Sequence, residues 1–207
     1  MLEVTAFGTG RIMTNTYVAV DNETNKGFIV DPGAFDKQIV SYIKNENIEI
    51  EYIVLTHGHG DHIGGVPGFK ELYPAAKIVA AEGDQEAMRK PEWNQASMYS
   101  GGPDVSFVPD ITVKEGDTLE VGNMKFEFWM TPGHTPGGMC IIGEGVCFSG
   151  DTLFKQSMGR TDFPGGSYRD IMQSLKKLMK LPPKTIVYPG HMDFTTIAWE
   201  SEHNPYI

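Results

Sequence analysis

Short apolar runs cut by glycine, proline and asparagine set the pattern of the first third of the chain. LEVTAF (2–7), TYVAV (16–20) and GFIVD (27–31) are rich in β-branched and aromatic residues and predict strands. Residues 35–47 switch to helical spacing, with Ile39, Val40 and Ile43 on one face. YIVLT (52–56) predicts a buried strand that runs straight into HGHGDH (57–62). Residues 63–73 predict a helix with Pro67 early in it, and KIVAA (77–81) another strand. Residues 82–90 suit a helix. Residues 91–104, rich in Met, Trp and Tyr and ending in GGPD, predict a helical or irregular flap.

The second half returns to strands: DTLEV (117–121), MKFEFWM (124–130), GMCII (138–142) and GVCFS (145–149). Residues 168–180 predict a helix whose apolar stripe is Ile171, Met172, Leu175, Leu178 and Met179. TIVYP (185–189) is the last clear strand, and a final helical turn or two covers 195–202. Strands dominate each half and helices sit between and after them. The reading is an α/β layered domain of two similar halves, two sheets packed together with helices outside. No linker, low-complexity tract or block of like charge divides the chain, so residues 1–207 are expected to form one domain.

Composition mainly excludes. Acidic residues outnumber basic ones 27 to 17, a net charge of −10, which repels phosphate backbones and argues against nucleic acid as a partner. No apolar run approaches the ~20 residues that span a bilayer, and the N-terminus has no secretory pattern. There are two cysteines. With Gly143-Glu144-Gly145 as a hairpin tip, Cys147 faces Ile141 and Cys140 faces Phe148, which puts the thiols on opposite sheet faces. A disulfide is then not expected, and a reduced, cytoplasmic compartment follows.

Five of the six histidines stand in loops at strand ends beside Gly or Asp. His57-Gly58-His59-Gly60-Asp61-His62 follows YIVLT, and Thr131-Pro132-Gly133-His134 follows FEFWM. Ser149-Gly150-Asp151 follows GVCF, and Tyr188-Pro189-Gly190-His191 follows TIVY. In α/β folds, ligands collect beyond the carboxyl ends of strands. A lone loop histidine is ordinarily a hydrogen-bonded structural residue, and Asp151 before Thr152 alone would read as a turn or helix cap. The cluster changes that. Four ligand-type side chains within six residues cannot form a helix face or core stripe, and such a string arises by chance in roughly one chain in a thousand. Imidazole and carboxylate without thiolate suit Zn, Fe or Mn. His57, His59, His62, His134, His191, Asp61 and Asp151 exceed the needs of one four- or five-coordinate ion and suit two ions sharing a carboxylate. No serine-nucleophile motif, Walker loop or GxGxxG competes. His203 reads as structural. Asp31, before Pro32, reads equally as a turn former or as a partner holding a ligating histidine.

On these residues the chain resembles the metallo-β-lactamase superfamily: T-H-x-H-x-D-H-x-G-G is read at Thr56 to Gly65, followed by His134, Asp151 and His191. The likeness covers nearly the whole chain. SGDTLF (149–154) and GRTDFPGGS (159–167) make it most similar to the glyoxalase II-like, hydroxyacylglutathione-hydrolase-like group. The resemblance implies an αβ/βα sandwich of two mixed sheets with outer helices and a dinuclear site at its edge. It implies two divalent ions, zinc before iron or manganese, one held by His57, His59 and His134 and the other by Asp61, His62 and His191. Asp151 would bridge them, and Asp61 and Asp151 would belong to the catalytic machinery. A bridging hydroxide would attack the carbonyl of a small-molecule thioester.

Asp151 separates the chain from lactamases with a Cys ligand in the second site, and His59 separates it from flavodiiron enzymes. The C-terminal helical domain that supplies much of the glutathione site in glyoxalase II is expected to be absent. Arg160 matches a glutathione-contacting position but stands beside Asp162, so substrate contact and a structural ion pair are both open. The runner-up is a persulfide dioxygenase using one Fe(II) on His57, His134 and Asp151. Lactone or ester hydrolysis comes third.

Overall fold

The computed structural model describes residues 1–207. The chain runs β1 (Leu2–Thr9), β2 (Thr14–Asp21), β3 (Lys26–Val30), α1 (Lys37–Asn45), β4 (Glu49–Leu55), α2 (Gly60–Ile63), α3 (Val66–Leu72) and β5 (Lys77–Ala81). A 3-10 turn leads into α4 (Gln85–Arg89), α5 (Pro91–Asn94) and α6 (Ala96–Ser100), then β6 (Ile111–Val113). The second half holds β7 (Thr118–Val121), β8 (Met124–Met130), β9 (Met139–Gly143), β10 (Val146–Gly150), the small hairpin β11 (Leu153–Phe154) and β12 (Ser157–Met158), and α7 (Tyr168–Leu178). It ends with β13 (Ile186–Pro189), β14 (Thr195–Thr196) and α8 (Ile197–His203).

The first sheet is ordered β1-β2-β3-β4-β5-β6 and the second β14-β13-β10-β9-β8-β7. Both are mixed: β1 to β3 pair antiparallel and β3 to β6 parallel, while β7 to β10 form an antiparallel meander and β10 pairs parallel with β13.

Period-two alternation sorts side chains between layers. Val18, Ile29, Ile53, Leu55 and Ile78 face outward beneath Ile39 and Ile43 of α1 and Phe69 of α3. Their chain neighbours Tyr17, Phe28, Val30, Val54 and Val79 face inward to meet Phe126, Phe128, Ile141 and Phe148 of the second sheet. Leu175 and Leu178 of α7 and Ile197 of α8 cover the far side of that sheet. The order is helix, sheet, sheet, helix, as the pattern predicts. Asp36 and Ser167 cap α1 and α7 by accepting from Gln38 and Asp170 N–H groups.

One buried carboxylate ties the two sheets together away from the histidine loops. Asp21, at the end of β2, accepts from the Asn123 N–H of the β7–β8 turn at 2.8 Å, from Thr24 Oγ1 at 2.9 Å and from the chain's own amino terminus at 3.0 Å.

The cysteine expectation is corrected. The β9–β10 turn has two residues, Glu144 and Gly145, both at positive φ (50° and 80°), so Gly143 pairs directly with Val146 and Cys147 with Ile142. A turn of that kind matches strand twist. It shifts the register by one residue and puts both thiols on the outer face of the second sheet, buried under α7 and α8 and unbridged. Four short strands, β6, β11, β12 and β14, have no counterpart in the pattern. β4 also starts three residues earlier than predicted, and the helix predicted at 63–73 runs over Val66–Leu72 with Pro67 in its first turn, after a separate helical turn at Gly60–Ile63. No helix is long and apolar enough to cross a membrane.

Candidate metal centre

The loops after β4, β8, β10 and β13 leave the sheets at one edge and bring their polar side chains together. His57, His59 and His134 form one group whose ligand-type atoms all lie within 4.8 Å of one another, and Asp61, His62 and His191 form a second. His59 Nδ1 comes within 2.9 Å of His134 Nε2, and Asp61 Oδ2 within 3.1 Å of His191 Nε2. Asp151 lies between the groups. Its Oδ1 is 3.3 Å from His62 Nε2, and its Oδ2 is 3.5 Å from His134 Nε2 and 3.7 Å from His191 Nε2.

Three buried atoms in this centre have no hydrogen-bond partner: His57 Nε2, His62 Nε2 and Asp151 Oδ1. Orphaned buried polar atoms are costly, and here they gather: His62 Nε2 and Asp151 Oδ1 are 3.3 Å apart, and the His57 ring lies 4.1 Å from the His62 ring between centroids. A metal ion satisfies such a set. The donor chemistry, imidazole and carboxylate only, fits a divalent ion of the zinc, iron or manganese kind.

The outer nitrogens are already committed. His134 Nδ1–H donates to the Arg160 carbonyl at 2.8 Å, which turns Nε2 toward the site. His62 Nδ1–H donates to Asp31 Oδ2 at 2.9 Å with the same result. Asp31 also accepts from Thr56 N–H at 2.7 Å and Thr56 Oγ1 at 2.6 Å, at a φ of 49°. Its turn conformation and its contact with a histidine are therefore one arrangement. Asp61 Oδ2 accepts from Thr14 Oγ1 at 3.1 Å.

Electrostatics follow from burial and crowding. Burial, reinforced by the neighbouring imidazoles, pushes His57 well down and His59 down to about 4, so both stay neutral at physiological pH. Burial acts the same way on His62, but Asp61, Asp151 and Asp31 outweigh it and raise His62 well above its ordinary value. Burial pushes Asp61 and Asp151 up, yet the nearby histidines prevail and hold both carboxyls low. Uptake of an ion by His62 Nε2 would expel the proton that His62 carries.

Arg160 stands at the rim. Its guanidinium forks onto Asp162 with two 2.6 Å hydrogen bonds and lies 4.0 Å over the Phe163 ring, whose edge meets the His59 ring at 5.4 Å between centroids. His203 stacks on Trp199 and bonds its carbonyl, far from these loops in its contacts. A groove of about 770 Å³ between Ala34, Phe35, Pro67, Leu72 and Ser100 contains none of the ligand-type side chains.

Two residues that serve the centre have no mark in the sequence reading. Thr14 belongs to a strand-start triplet and looks like any β-branched residue. Asp84 accepts from Gly58 N–H, Thr135 Oγ1 and Gly137 N–H, while burial pushes its carboxyl up. Its one available signal is position: it follows the carboxyl end of the parallel strand β5, as the ligand loops follow theirs.

A model of the metallo-beta-lactamase superfamily matches residues 9–191. Hydroxyacylglutathione hydrolase GloC of Haemophilus influenzae is 34% identical over 213 aligned positions, covering 100% of this chain and 96% of that protein. Among solved structures, BLEG-1 B3 metallo-beta-lactamase superposes with a TM-score of 0.91 at 33% identity, covering 99% of each chain. TTHA1623 in a di-iron-bound form superposes at 0.86 and 29% identity, covering 98% of this chain and 100% of that one. With a family model across both halves and relatives aligned end to end, the chain belongs to the metallo-beta-lactamase superfamily.

Proposed function

We propose that the chain is a dinuclear metal-dependent hydrolase of thioesters, glyoxalase II-like in its chemistry, with zinc as its first-choice ion. The observation that carries the reading is the convergence of three partnerless buried atoms, on His57, His62 and Asp151, with two complete groups of ligand-type side chains around them. Similarity to GloC along the whole chain supports the substrate class, and the di-iron form of TTHA1623 supports two ions.

In this reading His57, His59 and His134 would hold one ion, Asp61, His62 and His191 would hold the other, and Asp151, between the two groups, would serve both. Divalent ions in such a site supply Lewis acidity and bring the pKa of bound water down to about 7. The residues do the rest. Asp31 and the Arg160 carbonyl fix which imidazole nitrogens face inward. Thr14 holds one oxygen of Asp61. Phe163 shields the His59 side of the mouth. Arg160 offers a cation for a substrate carboxylate at the rim. The thiols of Cys140 and Cys147, buried and unbridged, suit a reducing compartment, the cytoplasm in this reading.

Elemental analysis, thiol release from S-lactoylglutathione and simpler thioesters, and an oxygen electrode together test the proposal. Two ions per chain with thiol release and no oxygen uptake are expected. Asp151→Ala should lose both ions. One iron with oxygen consumed on a persulfide would replace this reading with a dioxygenase built on His57, His134 and Asp151. Cleavage of lactones or oxygen esters alone would move the substrate class and leave the metal centre.

A further inference from the structure

Asp84 is buried at the end of the 3-10 turn that follows β5, and it makes no hydrogen bond to any imidazole. Its oxygens instead hold the backbone immediately beside His57, His59 and His134. Oδ2 accepts from Gly58 N–H at 2.9 Å and from Thr135 Oγ1 at 2.7 Å, and Oδ1 accepts from Gly137 N–H at 2.7 Å. Gly58 lies between His57 and His59, and Thr135 follows His134. The two loops come from different sheets. Glycine lets them close on the turn: a Cβ on Gly58 would meet Asp84 Cβ at 3.2 Å, one on Gly137 would fall 2.7 Å from Asp84 Cγ, and one on Gly83 would fall 2.8 Å from Gly137 Cα. The other group, Asp61, His62 and His191, receives nothing from Asp84; Thr14 and Asp31 hold it.

We propose that Asp84 is the positioning residue for the His57–His59–His134 group alone, and that it sets the affinity of one ion of the pair without acting on the other. The inference rests on the metal-centre reading above. Its physical basis is preorganisation: donors held in place before the ion arrives bind it more tightly, and loss of a supporting contact costs typically 10- to 100-fold in metal affinity. An Asp84→Asn change keeps the volume but puts an amide NH₂ against either the Gly58 or the Gly137 N–H, so one loop must move whichever way the amide turns. Thr135→Val removes a single tie and leaves both backbone contacts.

The test is a titration of metal-free protein with Zn²⁺ against a chromophoric chelator, on wild type, Asp84→Asn, Thr135→Val, His134→Ala and His191→Ala, with thermal melting of each metal-free form. Asp84→Asn should weaken, by about 10- to 100-fold, the binding step that His134→Ala removes, and should leave the step that His191→Ala removes. Thr135→Val should weaken the same step by a smaller factor with an unchanged metal-free melting temperature; it carries the test if Asp84→Asn folds poorly. Equal weakening of both steps, weakening of the His191 step, or no change overturns the inference. If wild type takes up one ion, the two-ion reading fails by itself, and Asp84 is judged on whether its variant weakens that ion. Uptake of no ion defeats both.

Discussion

The Asp31 carboxylate lies 2.9 Å from His62 Nδ1, and that hydrogen bond decides which nitrogen of His62 faces Asp61 and Asp151. Asparagine tolerates the positive φ at this position but cannot offer the same charge to the imidazole. Asp31→Asn also turns an amide NH₂ toward either Thr56 N–H or the His62 ring, and should lose about 10- to 100-fold in metal affinity, read by chelator competition with the metal-free melting temperature as the check on folding. Undiminished affinity would leave Asp31 as a turn former only.

Gly190 gives a second lever on the same centre. A Cβ there would run into Asp151 Oδ1 and the His62 ring. Gly190→Ala should remove most of the bound metal, while Gly102→Ala, where an added Cβ meets only Ser100 Oγ at 3.4 Å, should keep it all. Equal metal content in the two purified proteins would show that the ligands yield to the extra methyl.

The proposed rim contact of Arg160 can be tested through substrate choice. The pair is exposed and screened by water, so a substrate carboxylate can displace Asp162 from the fork. Arg160→Ala should cost roughly 10- to 100-fold in kcat/KM for carboxylate-bearing thioesters and little for neutral ones. Asp162→Asn should raise kcat/KM for the carboxylate-bearing set. Equal losses on both kinds of substrate in Arg160→Ala would make the arginine a loop anchor.

The Asp21 junction predicts an acid dependence. The Asn123 N–H, helped by the chain's amino terminus, holds the Asp21 carboxyl below its ordinary value against the opposing effect of burial. A carboxyl lowered in the folded state stabilises above its unfolded pKa of 3.8, and that stability is lost as pH falls through the lower folded value. Asp21→Asn should melt below wild type at pH 7, and the gap should close as pH drops below 4. A gap independent of pH between 7 and 3 would mean that shape, not charge, holds the junction.

How far the fold and centre were legible depends on whether the information is local. The strands from Leu2 to Ala81 and the helices around Ile39 and Leu175 carry their period in neighbouring residues, and so do the glycine-spaced ligands at 57–62. The three residues of β6 and two of β14 are too few to show a period and exist because a neighbouring strand offers them partners. The cysteine register turned on whether the β9–β10 turn holds two residues or three, and composition around Gly143 allows both. Asp84 looks like any turn aspartate, since its partners Gly58 and Thr135 are distant in sequence and come from loops of different sheets.

The Asp21 junction has a mechanical side as well. It ties the sheets where β2 ends and β8 begins, whereas the ligand loops leave from the other ends of those layers. Seven residues of strand separate Thr14 from Asp21, a lever of ~23 Å at ~3.3 Å per residue. Swinging one sheet about that junction by about one degree would displace the ligand loops by ~0.4 Å, twice the ~0.2 Å within which metal–donor distances are ordinarily held. Loosening the far end of the sandwich, as in Asp21→Asn, is therefore expected to be felt first as weakened metal retention at the open edge.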